Sequence, residues 1–150
     1  MRLLVQRVRE ARVDIQAETV GAIEKGLLVF VGLGQGDSEA ELDWAVHKLL
    51  NLRVFHDEEG KMNRNVVQVD GGLLLVSQFT LYGDTKKGHR PSFVPAAHPD
   101  QAEPLYDLLA EKVRGLFHGP LATGRFGADM QVHLVNDGPV TLWLEREPQQ

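Results

Sequence analysis

The chain has 150 residues, a formal net charge of −5 and no cysteine. The missing thiols exclude a disulfide framework, thiolate catalysis and zinc–cysteine sites, and they fit a reducing, cytoplasmic setting. The acidic balance excludes strong long-range attraction to nucleic acid unless a local basic patch supplies it.

The length suits one domain, residues 1–150, with a sizeable core. The N-terminal stretch MRLLVQRVREARV has no apolar block of signal-peptide length. No segment approaches the roughly 20 apolar residues that span a membrane, so a soluble protein without a membrane partner is expected.

In chain order, residues 2–16 alternate. Leu3, Val5, Ala11, Val13 and Ile15 share one parity, as one buried face of a strand or a bent strand pair requires, and Arg7 and Arg9 fall on that face unless a bulge intervenes. GLLVFVGL (26–33) reads as a buried strand. Residues 37–52 read as a helix, with a Ser38/Glu41 capping-box pattern and Leu42, Ala45, Val46, Leu49 and Leu50 on its inner stripe. DEEGK (57–61) is a turn, and GLLLVSQF (72–79) is a second buried strand. A polar loop, YGDTKKGHRPSF (82–93), precedes a second helix from about Asp100 to Phe117, where Pro104 is tolerated only in the first turn. MQVHLVN (130–136) and PVTLWLE (139–145) close the chain as a strand pair. The elements add up to an α/β protein with a curved sheet or half-barrel covered by two helices.

Four stretches carry candidate chemistry. VGLGQGD (31–37) has the strand–glycine–helix setting of a phosphate-binding turn, but Asp37 stands where the dinucleotide fingerprint needs its third glycine. An ordinary connection explains it better. The six histidines show no metal-ligand spacing, so neither metal nor cofactor is expected. Ser77, Gln78 and Thr80 cluster at the end of an otherwise apolar strand. They serve equally well as a strand leaving the core or as groups awaiting a ligand. Lys86, Lys87 and Arg90 make the most basic short stretch of an acidic chain. Such a loop is usually solvated, yet beside a polar strand end it could grip phosphates. In VNDGPVTLWL (135–144), a proline follows the Asn-Asp-Gly of a tight turn. It suits either an edge strand after a hairpin or a cis Gly138–Pro139 bond, which is uncommon in general.

Taken together, SQFTLYGDTKKGHRPSF and NDGPVTLWLE closely resemble the D-aminoacyl-tRNA deacylase family. The likeness extends to QRV (6–8), GLLVFVGL, GKMNRNV (60–66), PDQAEPLYD (99–107) and TGRFGADMQV (123–132). The resemblance implies a three-layer β/β/α fold and a homodimer. The implied partner is the 3′ end of an aminoacyl-tRNA, and the implied reaction is hydrolysis of the ester to a D-amino acid, a proofreading step in translation. By the same resemblance, Ser77, Gln78, Phe79 and Thr80 form the catalytic pocket, and the N–H groups of Phe79 and Thr80 receive the oxyanion. Gly138–Pro139 is cis and reaches into the partner's pocket, where its carbonyls exclude L side chains. Phe126 packs on the terminal adenine, and Arg7 and Thr141 belong to the substrate-binding set with Lys86, Lys87 and Arg90. A gate of this kind cannot exclude glycine, so mischarged glycyl-tRNA is an expected substrate. A non-catalytic nucleotide- or RNA-end-binding module is the competing expectation.

Overall fold

Strand β1 (Arg2–Ile15) runs through the middle of the sheet and decides its shape. The computed structural model describes residues 1–149. After β1 come β2 (Glu18–Ile23), β3 (Gly26–Gly32), helix α1 (Glu39–Asn51), and the short pair β4 (Phe55–His56) and β5 (Met62–Arg64). Strand β6 (Gly72–Ser77), a 3-10 turn (Phe79–Tyr82), helix α2 (Pro99–Leu116), β7 (Leu121–Thr123) and β8 (Gln131–Glu145) complete the chain. The main sheet has the order β2-β1-β3-β6-β7, with β8 on the other edge of β1. β3, β6 and β7 are parallel to one another, and the remaining pairs are antiparallel.

Side chains alternate between two cores on opposite faces of β3 and β6. Leu27, Val29, Val31, Leu73 and Leu75 face the helices, where Leu42, Val46, Leu49, Leu109 and Val113 cover them. Leu28, Leu74 and Val76 face the other way, toward Val8, Ala11, Val13 and Ile23. The far half of β1 thus rolls over the sheet, carrying β2 and part of β8 with it. The outcome is a mixed half-barrel backed by two helices, the expected α/β architecture.

Rolling β1 from one layer to the other requires breaks in its alternation. Leu3 and Val5 belong to the helix-side core, and Val8, Ala11 and Val13 to the opposite one. The register with β8 slips between Gln6 and Val8 and again between Val8 and Glu10. Bulges bend a strand and re-aim its side chains. Here they leave Arg7 buried and Arg9 exposed, so the two arginines do not share a face.

Three other expectations change. Residues 130–136 and 139–145 do not pair with each other. They are two halves of β8, both laid along β1, with Asn136 opposite Val8 and Thr141 opposite Gln6. Residues 137–140 loop out between those halves, so Asn-Asp-Gly is no hairpin tip. Strand β6 ends at Ser77, and the chain turns into the 3-10 segment where a longer strand was expected. Pro99, not Pro104, occupies the first turn of α2. Pro104 lies inside the helix, where its missing N–H leaves the Asp100 carbonyl without its helical donor.

Helix α1 starts as its sequence requires. The Ser38 N–H (2.7 Å) and hydroxyl (2.9 Å) both donate to Glu41 Oε2. Burial pushes the Glu41 carboxyl up. The Ser38 donors, Glu41's own N–H and the Arg146 guanidinium outweigh that and hold it below the ordinary value of 4.5. A depressed carboxylate stabilises the fold above its unfolded pKa, and that contribution is lost as pH falls through the folded value. Glu41→Gln should therefore cost about 1 kcal/mol near neutrality, the difference between a charged and a neutral acceptor. That is a melting temperature lower by about 2–4 °C. Melting curves of both proteins should converge as the pH drops below 4.5 toward the folded pKa; a gap that persists at low pH would contradict this assignment.

Candidate active site

β6 is apolar because both its faces are covered, and its polar end is where the cover stops. Beyond Ser77, the Gln78 N–H still donates to the Val31 carbonyl of β3 at 2.7 Å. The chain then breaks from the sheet into the Phe79–Tyr82 3-10 turn, tied to its flanking residues by Leu81 N–H to Gln78 (3.2 Å) and Gly83 N–H to Thr80 (2.9 Å). The first N–H groups of a helical turn have no partner within it. Accordingly, the Phe79 and Thr80 N–H groups find no acceptor among the described residues.

This turn borders a cleft of about 610 Å³ at the carboxyl ends of β3 and β6. Ser77, Gln78 and Phe79 line one side, and Phe126, Asp129 and Met130 face them. The floor is apolar. Phe126 packs on Tyr106 of α2 (ring centroids 6.1 Å apart), and the Tyr106 hydroxyl donates to the Leu75 carbonyl at 2.9 Å. Gly124 N–H donates to that same carbonyl at 2.9 Å. One β6 carbonyl thus fixes the heights of α2 and of the Phe126 loop relative to the Ser77–Thr80 segment. Burial, followed by the charge of Asp107, raises the Tyr106 hydroxyl far above its ordinary pKa, so it remains a neutral donor.

No side-chain base bonds to the turn among the described residues. The Thr80 hydroxyl accepts from the Gln78 amide and has no carboxylate or imidazole partner among the described residues. The titratable groups in the cleft wall are His98 and Asp129, and His98 Nδ1 accepts the Asp100 N–H at 3.3 Å to cap α2. Among the described residues, no group of three His, Cys, Asp or Glu side chains could hold a metal ion.

The other expected site residues form two further groups. Gly138 and Pro139 lie exposed in the loop-out of β8, and their peptide bond is cis. They do not line the cleft of their own chain. Arg7 braces this loop from beneath, donating to the Asp137 carbonyl at 2.7 Å and the Val54 carbonyl at 2.8 Å. From the other side, Asn136 accepts the Val140 N–H at 2.8 Å and donates to the Thr141 hydroxyl at 3.0 Å. Asn136 and Tyr106 escaped the sequence reading, because an asparagine before Asp-Gly looks like turn chemistry and a tyrosine on a helix's inner stripe looks like core.

Lys86, Lys87 and Arg90 stand exposed at the tip of a loop closed by paired backbone bonds between Asp84 and Ser92 (2.8 and 2.9 Å). At the loop's base, Phe93 packs edge-on against Phe79 with centroids 5.1 Å apart. The cationic tip is thereby anchored to the rim of the cleft. The glycine loop at 32–36 has no comparable opening: Asp37 accepts the Gly34 N–H at 2.7 Å and the Met1 ammonium at 3.0 Å. A carboxylate occupies the place where a phosphate would need to sit.

Known proteins share both the sequence and the fold. Residues 4–145 match the family model described as D-Tyr-tRNA(Tyr) deacylase. The chain is 61% identical to a D-aminoacyl-tRNA deacylase of Ectopseudomonas mendocina, over 97% of this chain and 99% of that one. A D-aminoacyl-tRNA deacylase of Dichelobacter nodosus is 58% identical, over 94% of this chain and 97% of that one. Among solved structures, a c-Myc DNA unwinding element binding protein superposes with TM-score 0.93 at 42% identity, over 98% of this chain and 99% of that one. A probable eukaryotic D-amino acid tRNA deacylase shares the fold, with TM-score 0.82 at 18% identity over 95% and 97% of the two chains. By model match and by full-length identity, the chain belongs to the D-Tyr-tRNA(Tyr) deacylase family.

Proposed function

We propose that the protein hydrolyses the ester joining a D-amino acid to the 3′-terminal ribose of tRNA, and that two copies build the working enzyme. The observation that carries the reading is the pair of unpartnered N–H groups at Phe79 and Thr80, beside a cleft with an aromatic platform at Phe126. Aromatic stacking suits the base of a single-stranded end. With the terminal adenine on Phe126, the ester carbonyl reaches the turn. Water adds to the carbonyl carbon, and the negative oxygen accepts the Phe79 and Thr80 N–H groups. The carbon–oxygen bond to ribose then breaks, and the departing oxygen takes up a proton. In this reading a hydroxyl of the substrate's own ribose assists the proton transfer. An aminoacyl ester is reactive enough for such a site.

Chirality is the work of the partner. The 137–140 loop faces away from its own cleft, so its carbonyls meet substrate only in a second copy, as in an isologous dimer. There they clash with an L side chain and spare a D one, which is selection by exclusion. Glycine offers nothing to clash with, so glycyl-tRNA is also hydrolysed. Matched D-Tyr-, L-Tyr- and Gly-tRNA, assayed with the mass of the active species, test the reading. Release from the D and glycyl esters by a particle of twice the chain's mass is expected. Equal release from D and L esters, or an active monomer, would refute the gate.

The basic loop resolves how an acidic protein holds RNA. Replacing Lys86, Lys87 and Arg90 by glutamine should raise KM for tRNA and leave kcat in place. It should also flatten the dependence of log affinity on log salt by about 2 units, at about 0.7–0.9 per lost phosphate contact. An unchanged salt slope would return the loop to plain solvent exposure.

A further inference from the structure

We propose that Arg2 is a positioning residue for this hydrolysis, clamping the Phe79–Tyr82 turn so that its free N–H groups keep their direction. The proposal rests on the reading of that turn as the oxyanion site. Arg2 is the first residue of β1, and its guanidinium ties together the Phe79–Tyr82 turn and the end of β8. Nη1 donates to the Leu81 carbonyl at 2.8 Å. The guanidinium carbon lies over the Tyr82 ring, 4.4 Å from its centroid, and 5.7 Å from that of Trp143. Nε donates to Glu145 at 2.9 Å, at the end of β8.

The turn needs an outside hold. It is only four residues long, and 3-10 segments have poor hydrogen-bond geometry. Its first half is exposed at Phe79 and Thr80. Upstream it is fixed by the Gln78 N–H on Val31. Downstream, Arg2 supplies the only bond made to the Leu81 carbonyl among the described residues. On another side the Tyr82 ring packs closely on Gly34, where an added Cβ would lie 2.5 Å from its hydroxyl. Arg2 covers a face of the same ring, so the end of the turn is confined from two directions. A planar guanidinium can stack, pair with a carboxylate and donate to a carbonyl at once, whereas an ammonium cannot.

Arg2→Met and Arg2→Lys, in the full chain, test this by steady-state deacylation of D-Tyr-tRNA and by the amide resonances of Phe79 and Thr80. For Arg2→Met, kcat should fall about ten- to a hundredfold, the scale of a 1 Å misplacement. KM for tRNA should hold and both amides should shift. Arg2→Lys should recover part of the rate, and it carries the test if the methionine variant does not fold. Arg12→Met, an exposed arginine remote from the turn, should match the parent and controls for lost surface charge. Unchanged kcat with unmoved amides overturns the clamp, as does a fall in kcat that leaves the amides in place. Moved amides with unchanged kcat overturn the oxyanion reading beneath it, and an inactive parent protein overturns the deacylase reading itself.

Discussion

Proline at position 79 should lower the maximal rate of D-aminoacyl-tRNA hydrolysis by about 10²–10³, the cost of deleting one oxyanion donor. A backbone donor cannot be removed by trimming a side chain, but proline has no N–H. Position 79 is unusually suited to the exchange. It is the first residue of the 3-10 turn, the place where proline is tolerated at a helix start. Its N–H has no acceptor among the described residues, so no hydrogen bond is lost there. Gln78 stands at φ −148° and ψ 79°, outside the α region that proline disfavours in the residue before it. Thr80→Pro would be a poorer probe, because it would demand an extended backbone from Phe79 inside the turn.

Phe79→Pro also deletes an exposed ring that touches Phe93. Phe79→Ala supplies the correction: it keeps the N–H and loses the ring. The expected pattern is a large fall in kcat for proline, a small one for alanine and similar melting temperatures for both. Equal rates for the two variants would show that the Phe79 N–H does not receive the oxyanion.

Much of this was legible in the chain where a residue's meaning is local. The apolar runs of β3 and β6 read as buried strands because both faces are covered, and Ser38 with Glu41 marked the start of α1 correctly. The polar cluster after β6 was visible as a cluster but not as a turn. Only the Phe79–Tyr82 backbone shows which N–H groups are left free. Failures came where meaning depends on distant partners. The even alternation of 2–16 hid the bulges that roll β1 between layers, since a bulge is a relation to β8. Residues 130–145 looked like a hairpin because Asn-Asp-Gly is strong local chemistry. Pairing with β1 along the whole length overrode it and turned the same residues into a loop-out. Arg7 could not be assigned from sequence for the same reason: its two acceptors, Val54 and Asp137, are far from it in the chain and meet it only in the fold.

That loop-out supplies the second large effect. Gly138→Ala should reduce hydrolysis of D-Tyr-tRNA by about a hundredfold, the scale of a catalytic geometry displaced by 1 Å, while the protein stays folded. Gly138 has φ +154°, a region open in practice only to glycine, where another residue costs of order 1–3 kcal/mol. An added Cβ would also lie 2.7 Å from the Val140 nitrogen, 2.9 Å from Val140 Cγ2 and 3.3 Å from an Arg7 guanidinium nitrogen. The first of these is backbone and must move as a unit. Moving it breaks the bond from Val140 N–H to Asn136 Oδ1 and disturbs the seat that Arg7 gives Asp137. The loop therefore relaxes by turning its carbonyls, the groups proposed to exclude L side chains, rather than by a small local shift. Strands β1 and β8 pair on both sides of the loop, so the sheet retains its register and the melting temperature falls only modestly. Rates on D- and L-Tyr-tRNA, with a check on dimer mass, decide the matter. A folded Gly138→Ala protein whose rates on D and L esters both match its parent's would remove the 137–140 loop from the proposed site.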